Sequence, residues 1–456
     1  MGTEQLKENA IPENRMGTEP VKGLLIKMSL PLMVSMFVQS MYNIVDSIFV
    51  SRINENALTA VSLCFPIQSL MIAFGIGTAV GMSALISRYL GARDFELANK
   101  VAQNGILLSL VNYALFFIVG FFAYDFIRLQ TSDSRIVEYG GTYLHIVCWL
   151  SIFVFSQVTV ERLLQSTGKT LYIFFVQGIG AVINIIMDPI LIFGLLGAPK
   201  MGVAGAAVAT VFGQTVGALL GLYLNVTRNK ELHISMKGFR PSGHIIREIY
   251  KIGVPSIIMQ AVGSVMVFFL NMILVAFSTT AVATFGAYFK LQSFIFMPVF
   301  GMNNGVVPLV AYNYGARKKD RMYAAMHLSA RYAVTIMACG TLLFWLIPKL
   351  LLGLFDASDQ MLAIGIPALR IISIGFPLAG YAIMRGSIFQ ALGKSIYSMN
   401  ISIVRQLVVL LPAAWLLSRL GQVEFVWFAF PIAEVVGLTM SIFYSKKIQR
   451  EMIEVL

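Results

Sequence analysis

The chain of 456 residues is poor in charge: Asp, Glu, Lys and Arg make up 12% of it, against roughly 25% in an ordinary soluble domain. With 57% of residues hydrophobic, a soluble globular protein is excluded. Cysteine is scarce: Cys64, Cys148 and Cys339 all sit in apolar runs without CxxC spacing, so neither a disulfide scaffold nor a zinc site is expected. The four histidines, His145, His233, His244 and His327, are scattered and form no HExxH pattern, so no metal centre is expected. No DDxxD-like cluster exists to hold a magnesium diphosphate, which argues against a membrane-embedded prenyltransferase. The polar start runs straight into a long apolar stretch at Val21, without the short apolar core and small-residue cleavage site of a signal peptide, so this first span is expected to stay in the membrane.

What the chain has is long apolar runs. A hydrocarbon core of about 30 Å needs roughly 20 apolar residues per helix. Twelve such helices are expected near residues 24–50, 58–86, 101–125, 140–164, 171–196, 202–226, 252–277, 281–312, 325–352, 361–390, 396–418 and 425–444. Little remains outside them for a catalytic head, so the protein is not expected to be an enzyme. With the N-terminus on the cytoplasmic side, about 22 of the 34 Lys and Arg fall on the tails and even-numbered loops and about 6 on the opposite side. The net charge of +12 is therefore a topology signal and not a nucleic-acid footprint, which would gather on one soluble fold.

The second half matches the first at an offset of 224 or 225 residues. Ser29-Leu30-Pro31 faces Gly253-Val254-Pro255, Tyr89-Leu90-Gly91-Ala92-Arg93 faces Asn313-Tyr314-Gly315-Ala316-Arg317, and Leu164 to Lys169 faces Phe389 to Lys394. Two six-helix bundles are expected, related by an axis along the membrane normal and enclosing a central cavity. The expected organisation is an N-terminal tail (1–22), an N-terminal lobe (23–227), a linker (228–250), a C-terminal lobe (251–445) and a C-terminal tail (446–456). Gly168-Lys169-Thr170 and Gly393-Lys394-Ser395 end like a phosphate-binding P-loop, but the glycine required five positions earlier is Leu163 or Ile388. Direct use of ATP is not expected, and transport would draw on an ion gradient.

Carboxylates inside such spans are costly, about 2.5 to 3.5 kcal/mol each near a helix centre. Asp46, Glu161, Asp188 and Glu434 therefore need partners or a function. Asp46 shares one stripe of the first helix with Gln39, Tyr42 and Asn43. Asn184 and Asp188 lie one turn apart on the fifth, followed by Pro189, which frees the carbonyl of Ile185. Thr210 closes the small-residue run Gly202 to Ala209, where helices can approach closely, and Gly213, Gly217 and Gly221 read as packing positions. Two carboxylates, an amide and a hydroxyl suit either a sodium ion or a pair that shares one proton because adjacent negative charges repel. At the repeat offset Asp46 meets Leu270, and Asp188, one residue off that offset, meets Leu411 beside Pro412, so ion coupling belongs to the first half. Glu161 either joins that network or pairs near Arg162. Lys290 and Arg385 either pair with Glu434, line the cavity, or snorkel to an interface.

The segments LPLMVSMFVQSMYNIVDSIFVSRI, YLGARDFELA, LLQSTGKT, NIIMDPILIFG, MGVAGAAVAT, NYGARKKD and IFQALGKS, in this order and spacing, resemble the multidrug and toxic compound extrusion (MATE) family. The resemblance is to its bacterial multidrug branch, near the staphylococcal type of exporter. It implies an all-α polytopic membrane protein of twelve helices in two lobes, alternating access, and export of cationic, amphipathic drugs and dyes in exchange for protons or sodium. It assigns the cation site to Asp46, Asn184, Asp188 and Thr210 and drug contacts to Gln39 and Tyr42. No cofactor beyond the coupling ion is implied. The expected setting is a bacterial inner membrane with both termini cytoplasmic, and the expected state a monomer. Family members with acids on helices seven and ten differ from this chain, whose spans 255–271 and 376–390 carry none, so no C-lobe ion site is expected. A lipid-linked oligosaccharide flippase of the same superfamily is the alternative, with Lys290 and Arg385 as its cavity cations.

Overall fold

In hydrocarbon the backbone can satisfy its N–H and C=O groups only within helices or closed barrels. A computed structural model describes residues 13–355 and 357–456, and the described residues form helices and no strand. The long helices are α1 (Val21–Ser51), α2 (Glu55–Gly91), α3 (Phe95–Phe121), α4 (Ser134–Trp149), α5 (Ile152–Ser166), α6 (Thr170–Phe193) and α7 (Val203–Arg228). The second half repeats the order with α8 (Gly243–Val275), α9 (Thr279–Gly315), α10 (Lys319–Leu346), α11 (Asp359–Ser373), α12 (Phe376–Ala391), α13 (Ser395–Ser418) and α14 (Val423–Ile453). Ten of these are long and apolar enough to cross a membrane alone, and the pairs α4–α5 and α11–α12 bring the total to twelve spans.

Those two pairs stand where helices are expected near 140–164 and 361–390, each broken near its middle. Each is bent, by 47° and 48°, at matching places in the two halves. Pro377, the second residue of α12, cannot donate to the turn before it, which accounts for the second break. The first break, at Leu150–Ser151, has no proline, so local sequence alone does not dictate it. A further departure lies in α13, where Val404–Leu410 winds as a π-helix ahead of Pro412. The missing N–H of Pro412 leaves the preceding turn free to widen. Helix α8 begins inside the expected linker. Ser242 caps α8 by accepting from Ile245 N, so the helix starts at Gly243 and absorbs the second part of residues 228–250.

The lobes meet through the repeat symmetry. Helix α1 packs on α9, α2 packs on α8, and α2 also packs on α9, so exchanging the halves maps this set of contacts onto itself. Glycines permit the approach: a Cβ on Gly77 would sit 2.9 Å from the Gly253 carbonyl oxygen, and one on Gly253 would sit 2.9 Å from that of Gly77. The matching ends of α2 and α9 finish alike. Asp94 N donates to Tyr89 O and Arg93 N to Leu90 O, and Lys318 N donates to Asn313 O and Arg317 N to Tyr314 O, with Arg93 and Arg317 both left-handed at φ 59° and 55°. This is the turn that usually carries glycine, and here two arginines adopt it at a cost of about 1 to 3 kcal/mol each.

Candidate functional site

The first lobe assembles its polar residues where α1, α6 and α7 meet. Helix α6 crosses α7 at Gly180 and Gly213, where a Cβ on Gly213 would lie 2.7 Å from the Gly180 carbonyl oxygen and 3.2 Å from Asn184 Cβ. That closeness brings Thr210, one turn before Gly213, to Asn184. The Asn184 amide satisfies two neighbours in one orientation, donating to Asp188 Oδ2 at 3.2 Å and accepting from Thr210 N at 3.1 Å. Turned over, its nitrogen donates to Thr210 Oγ1 at 3.4 Å.

From α1, the Asp46 carboxyl meets that of Asp188. Asp188 is fully buried and Asn184 nearly so, while Asp46 and Thr210 are half-buried. Among the described residues, Asp46 Oδ1 and Asp188 Oδ1 are buried without a hydrogen-bond partner. Buried polar atoms of this kind call for an explanation such as a proton or an ion, because each one left unpaired costs about 1 to 3 kcal/mol and more when charged. The four residues that the sequence singled out therefore lie together as one oxygen-rich cluster. Tyr42 faces both carboxylates. Gln39 and Asn43, on the same helix stripe, are exposed.

Sequence reasoning missed Tyr143 of α4, which faces Asp46 and Tyr42 and accepts a hydrogen bond from Gln68 Nε2 at 3.2 Å. An isolated tyrosine in an apolar span carries no signal of this role. Glu161 is held apart from the cluster by other partners, Gln157 Nε2 at 2.9 Å and Gln177 Nε2 at 2.8 Å. The neighbouring Arg162 turns instead to Gln165 and Asn304, at 2.8 and 3.1 Å, and so ties α5 to α9 across the lobe boundary.

In the second lobe, of the alternatives open to Lys290 and Arg385, pairing with Glu434 is not the one found. Glu434 pairs with Arg405, whose guanidinium donates to both carboxylate oxygens at 2.9 and 3.1 Å. Arg405 sits in the π-helical stretch of α13. In sequence it is a lone arginine inside NISIVRQLVVL, a third cation with nothing local to rank it above Lys290 or Arg385. Arg385 is 6% exposed and rests on the Tyr381 ring at 4.8 Å, while Lys290 is exposed and lies 6.0 Å from the Phe355 ring. The two P-loop-like segments are helix ends: Gly168 and Gly393 are left-handed, at φ 79° and 75°, and close the turns after α5 and α12.

Comparison with known proteins gives the same repeat and the same fold. A multidrug export protein, MepA, of Staphylococcus haemolyticus is 28% identical over 425 residues, covering 92% of this chain and 93% of that one. The MepA of a bovine Staphylococcus aureus strain is 25% identical, covering 91% of each chain. Among solved structures, an outward-facing multidrug resistance MATE transporter of the MOP superfamily superposes with a TM-score of 0.91 at 26% identity, over 98% of this chain and all of the other. A MOP superfamily transporter from Pyrococcus furiosus, described as having a binding pocket of reverse polarity that suggests a different function, superposes with a TM-score of 0.89 at 26% identity, over 96% of this chain and 98% of that one. The MatE family model matches residues 31–190 and again 255–416, one match in each lobe, and the chain belongs to that family.

Proposed function

We propose that this protein is a secondary active multidrug exporter that expels cationic, amphipathic compounds in exchange for protons or sodium by alternating access. The observation that carries the reading is the Asp46–Asp188 pair, two carboxyls that meet inside a membrane span with buried oxygens left unpartnered. The export activity named for the staphylococcal relatives supports the substrate class. In an outward-facing state a proton or sodium ion taken up by Asp46 and Asp188, with Asn184 and Thr210 completing the oxygen set, neutralises the pair. That lets α1 repack and releases drug held along Gln39, Tyr42 and Asn43. The inward-facing state returns the ion and loads the next cation. The Lys and Arg bias towards the tails and even-numbered loops supports cytoplasmic termini in a bacterial inner membrane, and the working unit in this reading is a monomer.

The energetics are consistent with ion exchange. Expelling a monovalent cation against 100 mV costs about 2.3 kcal/mol, and one proton entering returns as much. One-for-one exchange is thus electroneutral, and each pH unit supplies about 1.36 kcal/mol, or tenfold accumulation.

The test is ethidium efflux from liposomes containing the purified protein, with proton and sodium gradients imposed separately and with Asp46→Asn and Asp188→Asn alongside. Efflux driven by one gradient and lost in both variants names the ion and supports the reading. No gradient-driven efflux from folded, inserted protein overturns it and leaves the lipid-linked oligosaccharide flippase.

A further inference from the structure

The basic face carries a second polar site, away from the carboxylate cluster. Arg88 near the end of α2, Glu248 and Lys251 at the start of α8, Tyr314 of α9 and Lys394 after α12 line a cavity of about 170 Å³, floored by Leu85 and Ile252. It lies on the seam between the lobes, since Arg88 belongs to the first and the other polar residues to the second. His244 and Arg247 continue its rim.

Its charges do not balance. The one carboxylate lining it, Glu248, pairs with Lys251 at 3.4 Å. Neither Arg88 nor Lys394 has a carboxylate within 4 Å among the described residues. The Arg88 guanidinium lies 4.9 Å from the centre of the Tyr314 ring, a cation–π contact beside the cavity it lines.

The repeat supplies an internal control. The counterpart of Lys394 is Lys169, and there the charge is met: its ammonium reaches Asn229 Oδ1 at 3.2 Å and Glu231 Oε1 at 3.4 Å. The counterpart turn is also covered by the chain itself. Asn14 Nδ2 donates to Thr167 O at 3.0 Å, Arg15 donates to Gly168 O, and the buried Met16 packs beside Gly168. The two halves thus offer equivalent turns after α5 and α12. One is covered by the side chains of Asn14, Arg15 and Met16 and has its lysine met by an acid, and the other opens on a cavity with two uncompensated cations.

We infer that the open site binds a phosphate group, with Arg88 as the two-pronged donor and Lys394 and Lys251 as the point charges. An anionic phospholipid headgroup and free phosphate share this chemistry. Because Arg88 and Lys394 come from different lobes, an occupant ties the lobes together at this face.

The test uses the full-length protein in neutral detergent, with short-chain phosphatidylglycerol, short-chain phosphatidylcholine and inorganic phosphate as separate probes, read by direct binding and by Tm. The expected result is binding of phosphatidylglycerol in preference to phosphatidylcholine, weakened about tenfold by Arg88→Gln or Lys394→Gln, with a Tm rise that those variants lose. A variant-sensitive response to inorganic phosphate as well identifies the headgroup phosphate as sufficient. A response to phosphatidylglycerol alone identifies a lipid. If Arg88→Gln does not fold, Lys394→Gln and Lys251→Glu carry the test. Binding of neither anion, or binding unchanged in every folded variant, overturns the inference. The readout is binding, so the result is independent of whether the protein exports drugs.

Discussion

Gly91 and Gly315 are symmetry mates that clasp each other's helices: a Cβ on Gly91 would collide with the carbonyl of Tyr312, and one on Gly315 with the carbonyl of Arg88. Each obstacle lies three residues before the other glycine. The relation of 91 to 312 thus becomes that of 315 to 88 when the halves are exchanged. The internal repeat of the sequence is in this way a physical contact between its two copies.

Backbone cannot move aside as a flexible side chain can, so Gly91→Ala and Gly315→Ala should each destabilise the protein, by about 1 to 3 kcal/mol. The two Tm losses should be similar. Gly178→Ala serves as the control, because nothing lies within 4 Å of its added methyl. A Tm unchanged in both symmetric variants would show that the helices can separate freely here.

The Gly180–Gly213 crossing sets how near Thr210 comes to Asn184. Gly213→Ala should push α7 away from α6 and raise the ion concentration needed for half-maximal driven efflux, by roughly tenfold for each 1.4 kcal/mol of lost site energy. Liposome efflux titrated against the driving ion measures this. An unchanged half-saturation point would remove Thr210 and Asn184 from the coupling site.

The Arg405–Glu434 pair is about 20% and 18% exposed in its side chains. Breaking such a pair leaves a charge without its partner, so Arg405→Met should lower Tm strongly, with a cost of about 3 kcal/mol. Replacing both residues by methionine should recover most of the loss. Equal losses in the single and double variants would mean that the pair contributes through packing and not through charge.

At the basic end, Lys318 donates to both Glu13 and the Gly17 carbonyl, and Arg321 donates to Met16 O and Glu19 O, so the segment before α1 is strapped to the second lobe. The Lys318 ammonium holds the Glu13 carboxyl below its ordinary value. A lowered folded value means that the stabilisation is present above the ordinary carboxylate range and is lost as pH falls through the lowered one. The Tm gap between wild type and Glu13→Gln should therefore be small but measurable at pH 7, under about 1 kcal/mol for a pair near the surface, and should close in acid. A gap that widens in acid would contradict the assigned partner.

Much of this was legible in the sequence because a membrane simplifies the problem. Apolar run length fixes where helices lie, and a carboxylate among Met, Val, Phe and Ile stands out at once. Asp46, Asn184, Asp188 and Thr210 could be nominated together for that reason. The partner of Glu434 could not be identified, because Lys290, Arg385 and Arg405 are equally charged in sequence and only the facing of α13 and α14 selects Arg405.

The sequence by itself determined the number of spans, the repeat and the residues able to bear ionic chemistry, since hydrophobicity and residue type act locally along the chain. The tertiary structure decided the bend at Leu150–Ser151, the meeting of Asp46 with Asp188 across two helices, and which of two equivalent turns is covered by the chain's own tail. The last two depend on contacts between residues more than a hundred positions apart. There, steric fit and charge compensation in three dimensions break a symmetry that the sequence alone leaves nearly intact.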